Sequence, residues 1–153
     1  MKSIVAIAAI AALGLAGQAS AFSLSPKNTN FTASGPTSLT ANGITLACTS
    51  TFTGKTNKKG TGKITGFSAV GQPGCTSVVG SNFPWNAKAT SATNIKFTNV
   101  QVGIPSFGIN CGPGTVNSTD NASGQVTFNA TLNPGNCQVS GTVQSSPAIT
   151  IVP

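Results

Sequence analysis

No stretch beyond residue 21 carries a hydrophobic stripe at helical spacing; segments rich in Thr, Val, Ile and Phe alternate with clusters of Gly, Asn, Pro and Ser. Short β-branched and aromatic runs punctuated by turn residues are the pattern of strands joined by tight connections, so residues 22–153 are predicted to be all-β. The sharpest case follows Asn42-Gly43, a pair suited to a two-residue hairpin turn. Beyond it Ile44, Leu46, Cys48, Ser50 and Phe52 share one face, predicted to be core, and Thr45, Ala47, Thr49 and Thr51 share the other. Further strands are expected around residues 63–70, 77–79, 87–92, 95–102, 124–132, 138–143 and 148–152. The apolar parity switches from Ile95 and Phe97 to Val100, Val102 and Ile104, which predicts a bulge near Asn99. About eight or nine short strands without helices imply a small β-sandwich, immunoglobulin-like or jelly-roll-like, with a closed barrel as second choice.

The N-terminus reads Met1-Lys2-Ser3, then an apolar run from Ile4 to Ala16, then Gly17-Gln18-Ala19-Ser20-Ala21. One positive charge, a short apolar stretch and small residues at Ala19 and Ala21 predict a Sec signal peptide cleaved between Ala21 and Phe22. The run is too short to span a bilayer comfortably, so no transmembrane segment is expected after processing. Residues 1–21 are therefore read as a removed leader and residues 22–153 as one secreted domain, extracellular or periplasmic in transit.

All four cysteines, Cys48, Cys75, Cys111 and Cys137, follow the leader. An even count in an oxidising compartment implies two disulfides, with three connectivities open. A weak internal repeat favours one of them. Gly62-Lys63-Ile64-Thr65 leads to Cys75 and Gly124-Gln125-Val126-Thr127 leads to Cys137 at the same offset, each after a polar turn and an earlier cysteine. If the repeat is structural, Cys48 pairs with Cys75 and Cys111 with Cys137.

The exported part contains no histidine, glutamate, arginine or tyrosine, and its only carboxylate side chain is Asp120. General acid–base catalysis draws on His or tuned carboxylates, and glycoside hydrolysis on a carboxylate pair. No catalytic, metal-binding or cofactor-binding residues are therefore expected, and one aspartate is too little for calcium. There is neither a Gly-x-Ser-x-Gly elbow nor a Ser-x-x-Lys pair. The chain is read as a non-enzyme that acts through its surface.

Two segments are candidates for that surface. Lys55, Lys58, Lys59 and Lys63 crowd one turn region and could attract anionic cell-surface or matrix groups, although lysines at a hairpin tip more often serve solubility. Without arginine or interleaved aromatics, sequence-specific nucleic-acid binding is not expected. Phe83-Pro84-Trp85 holds the only tryptophan, either an exposed apolar tip for oil or ligand or, more commonly, a core plug.

Taken in order, Gly35-Pro36-Thr37-Ser38-Leu39-Thr40, Leu46-Ala47-Cys48, Thr51-Phe52-Thr53-Gly54, Ile64-Thr65-Gly66, Gly74-Cys75, Phe83-Pro84-Trp85, Cys111-Gly112-Pro113, Pro134-Gly135-Asn136-Cys137 and the ending Ser146-Pro147-Ala148-Ile149-Thr150-Ile151-Val152 span nearly the whole exported chain. This order resembles the bacterial protein activator of alkane oxidation family, small secreted proteins of pseudomonads and relatives. The resemblance implies an extracellular accessory of growth on n-alkanes that helps to disperse or contact hydrocarbon, associated with the cell surface or biofilm matrix. It brings no catalytic residues. The expected role is action at an oil–water or cell-surface interface, by emulsification or adhesion. The alternatives are a self-associating matrix or fibre subunit and, third, a carbohydrate-binding module.

Overall fold

The structure, a computed structural model, describes residues 21–153. Of the leader and its cleavage site, Ala19 lies outside the described residues; Ala21 is exposed, and Phe22 packs against the core beside Leu24 and Ile149. Among the described residues eleven strands form: β1 (Ser23–Ser25), β2 (Asn30–Ala41), β3 (Ile44–Thr56), β4 (Gly62–Gly71), β5 (Val79–Ser81), β6 (Trp85–Ala89), β7 (Asn94–Ile104), β8 (Ile109–Asp120), β9 (Gln125–Leu132), β10 (Cys137–Ser146) and β11 (Thr150–Val152). Single 3₁₀ turns occupy Cys75–Ser77 and Pro105–Phe107.

The fold is all-β, and of the two architectures expected it is the closed barrel rather than the sandwich that forms. Eight strands run in the order β7-β6-β4-β3-β2-β10-β9-β8, and the pairing of β7 with β8 closes the sheet on itself. Strand β5 pairs with β7 above the place where β6 leaves it, as an extra strand. Strands β1 and β11 form a separate two-stranded sheet. Closure is what pattern alone could not supply, because sandwiches and barrels both alternate inward apolar and outward polar residues.

Local chemistry explains most of the elements. Asn42 and Gly43 have φ of 49° and 76°, and Ala41 faces Ile44, so the two residues make the hairpin turn their sequence predicts. In β3 Leu46, Cys48 and Ser50 are buried while Thr45, Ala47 and Thr49 are exposed. The expected bulge is present: Asn99 has φ 63°, and the β7–β8 register shifts between Phe97 and Val100. The segment expected as a strand at 77–79 is instead the end of the Cys75–Ser77 turn, with the strand beginning at Val79.

Strands β2 and β8 escaped the sequence pattern because Gly35-Pro36 and Gly112-Pro113-Gly114 look like breakers. They lie inside paired strands, where they interrupt the ladder locally. The β2–β10 pairing omits Gly35 and Pro36 and resumes in the same register, as expected where proline has no N–H to donate. Between Cys111 and Gly114 the β7–β8 register shifts across Pro113.

Candidate functional site

The up-and-down order of the barrel sorts its connections to two ends. One end carries the Asn42-Gly43 turn, the Cys75–Ser77 and Pro105–Phe107 turns and the approach to Cys137. Both disulfides are here, Cys48–Cys75 and Cys111–Cys137, each with Cα atoms 5.7 Å apart. Leu46, Ile104, Ile109, Leu132 and Val139 pack around them.

The opposite end carries the β3–β4, β6–β7 and β8–β9 turns, and two of these share one design. Asn57 Oδ1 accepts the backbone N–H of Lys59 at 2.9 Å and of Thr61 at 3.1 Å. Asn121 Oδ1 accepts those of Ser123 and Gln125, each at 3.0 Å. Gly60 and Gly124 close the two turns with φ of 76° and 78°. The internal repeat is therefore structural: a cysteine-bearing strand, an asparagine-locked turn, a second strand and a closing cysteine. By the turn geometry Gly60, not Gly62, is the counterpart of Gly124. Strands β1 and β11 cover this end, with Leu24 N–H donating to the Gly60 carbonyl at 2.7 Å and Leu24 and Ile149 buried beneath.

This end also gathers the charge. Lys55 and Lys63 are direct cross-strand partners, Lys58 and Lys59 sit in the turn between them, and all four are exposed as the sequence suggested. Lys88 and Lys96, which sequence spacing did not single out, are also direct partners on β6 and β7. Because β6 is the neighbour of β4, the two pairs lie on one outer wall. Lys27 precedes β2 at the same end, so every lysine among the described residues flanks a connection there. Like charges placed opposite one another cost stability, so two such pairs make this wall a place where an anion would relieve repulsion.

Asp120, the one carboxylate side chain, ends β8 at the lysine-bearing end. It is buried, and its Oδ1 has no hydrogen-bond partner among the described residues. Burial pushes its pKa up from 3.8 to about 6, opposed by the Ile151 backbone N–H. Among the described residues no cluster of three or more His, Cys, Asp or Glu side chains could hold a metal ion.

Large apolar side chains left in solvent are concentrated differently. Val70, Val79 and Phe107 are 55%, 43% and 58% exposed. Val70 immediately precedes Gly71, the cross-strand partner of Cys48; Val79 faces Gly103 just before the Pro105–Phe107 turn. All three therefore belong to the disulfide end. Phe83 is 37% exposed on the wall between β5 and β6.

Trp85 does not join that surface. It is 3% exposed, its indole N–H donates to the Ser81 carbonyl at 2.7 Å, and Phe83 stacks on it with ring centroids 4.9 Å apart. It is the core plug, held inward because β6 presents residues 85, 87 and 89 to the interior. Phe83 is thus the outer layer of an aromatic stack whose inner layer is Trp85.

These features define a closed, disulfide-clamped β-barrel whose lysines gather at one end and whose exposed Val70, Val79 and Phe107 lie at the other. The chain belongs to the family described as alkane oxidation protein activator, PraA/PraB-like, whose model matches residues 1–153. No curated protein and no solved structure matches it. The family description carries an alkane-oxidation activator role.

Proposed function

We propose that the chain is an exported, non-enzymatic accessory that promotes alkane oxidation by adsorbing where hydrocarbon, water and the cell surface meet. The observation that carries this reading is the polarity of the barrel. Val70, Val79 and Phe107 stand exposed at one end, while the lysines stand at the other. Removing apolar area from water contributes about 25 cal/mol per Å², so these three side chains favour contact of the disulfide end with oil. The lysine end then faces water and can engage anionic surface or matrix groups through electrostatics that salt screens over about 10 Å. Two disulfides at the oil-facing end oppose unfolding there. A closed main sheet leaves only short edges for strand pairing between copies, which weighs against a fibre subunit.

The biological test is growth. A strain lacking the gene should grow poorly on hexadecane and normally on succinate, and purified protein added to the medium should restore growth on hexadecane. Equal growth of mutant and parent on hexadecane would overturn the reading.

A further inference from the structure

The interior of the barrel is not filled. A cavity of about 140 Å³ lies within it, bordered by inward-facing side chains of the barrel strands. Phe31, Phe52, Phe97 and Phe128 pack against both core clusters, the one around the disulfides and the one beneath β1 and β11. They therefore form a middle layer between two plugged ends. All four point inward and border the void, and none is fully buried.

Backbone without side chains makes room for these rings. A Cβ on Gly54 would lie 2.8 Å from Phe31 Cζ, and one on Gly141 would lie 3.1 Å from Phe128 Cζ. Each ring thus lies over its cross-strand partner, Phe31 over Gly54 and Phe128 over Gly141 of the neighbouring strand, as small barrels use alternating sizes to shape an interior.

The lining of the lumen is mostly apolar, and its polar members are Thr37, Ser38, Ser50, Ser140 and Ser145. No charged residue lines it. Thr37 and Ser50, which do, bond to each other at 2.6 Å, and the Ser145 hydroxyl donates to the Gly124 carbonyl at 3.0 Å while accepting the Ile149 N–H at 2.8 Å. Water in such a space would find few partners. Apolar cavities of comparable size, about 150 Å³, stay dry and take up benzene.

We propose that the lumen is a binding site for one small hydrocarbon, a chain or ring of about six carbons. This deepens the functional reading above and rests on it for the nature of the guest: the barrel would hold a hydrocarbon molecule inside as well as meet the oil phase outside. The size of the cavity sets the selectivity, with hexane accommodated and hexadecane too long.

Trp85 lines the cavity and is the only tryptophan, so it reports directly on occupancy. Titrating the processed protein with 1-bromohexane should quench its fluorescence to saturation, iodide should quench little, and hexane should reverse the bromohexane effect while hexadecane does not. Quenching that rises without saturation, or that hexane fails to reverse, would overturn the site. Two substitutions sharpen the test. Ala69→Leu, which adds bulk at a buried lining position, should weaken bromohexane binding at least about tenfold. Phe128→Ala, which enlarges the lumen, should shift preference towards octane or decane. A folded Ala69→Leu protein that binds as before, or a folded Phe128→Ala protein with unchanged preference, would contradict the proposal. Oil–water tension measured on the same proteins separates the two claims. Saturable quenching without surface activity would remove the interfacial reading and leave the lumen site, and surface activity without saturable quenching would do the reverse.

Discussion

The two ends of the barrel solve the same problem with different chemistry. At the disulfide end, Cys48–Cys75 and Cys111–Cys137 tie the turns covalently to the strands, and exposed valine and phenylalanine are tolerated beside them. At the lysine end, the asparagine-locked turns and the short β1–β11 sheet do the closing, and every restraint is non-covalent. The contrast teaches where each device is useful. Apolar surface meeting oil would invite unfolding of a loop held by hydrogen bonds alone, whereas a solvated, charged end is secured well enough by side chains that bind backbone.

If that division is right, breaking the disulfide end has the largest effect. Replacing either cysteine pair by serine should lower stability by about 3.5 kcal/mol on the chain-entropy model, since the bridged cysteines are 27 and 26 residues apart. Urea denaturation monitored by Trp85 fluorescence measures this, and a loss below about 1 kcal/mol would mean that packing around Leu46 and Leu132 holds this end unaided.

Next in size is the plug at the other end. Leu24 is 2% exposed, and its Cδ1 would lie 3.3 Å from a Cβ on Gly62. Leu24→Ala should cost about 3 kcal/mol. Hydrogen exchange should show faster opening of the β3–β4 and β8–β9 turns while the disulfide end stays protected. Uniform loss of protection at both ends would contradict the independence of the two regions.

Asp120 gives a smaller and pH-dependent effect. Its pKa is raised from 3.8 to about 6, so between these values the folded state holds a proton that the unfolded state has released. The folded state is thus favoured most below pH 3.8, and this contribution is lost as pH rises through about 6. Thermal midpoints should therefore fall between pH 4 and pH 7 in the parent protein. Asp120→Asn should flatten that slope and raise the midpoint at pH 7 by about 5 °C. An unchanged slope would show that the buried carboxylate has a partner in solution that the fold does not reveal.

Much of this fold was legible in the sequence because local chemistry fixed it. Asn42-Gly43 can hardly make anything but a hairpin, the parity switch at Asn99 demanded a bulge, and the repeated cysteine spacing pointed to both disulfides. What was not legible depends on neighbours far apart in the chain. Pro36 and Pro113 read as breakers because only the assembled barrel shows that a strand can lose a rung of its ladder and continue. The Lys88–Lys96 pair joins the Lys55–Lys63 pair only because β6 lies beside β4. Trp85 and Phe83, one residue apart from the same proline, face opposite environments, which strand parity decides once the start of β6 is known. The lumen was invisible for a further reason: it depends on which residues become cross-strand partners, as where Phe31 lies over Gly54 and Phe128 over Gly141.

The central claim, that a barrel with its lysines at one end and exposed Val70, Val79 and Phe107 at the other settles at an oil–water boundary, is tested most directly by pendant-drop tension at a hexadecane–water surface. The processed protein should lower the tension well below that reached by a control protein of similar size. The triple substitution of Val70, Val79 and Phe107 by serine should remove most of that difference without loss of fold. A parent protein no more active than the control, or a triple variant fully as active as the parent, would contradict the account.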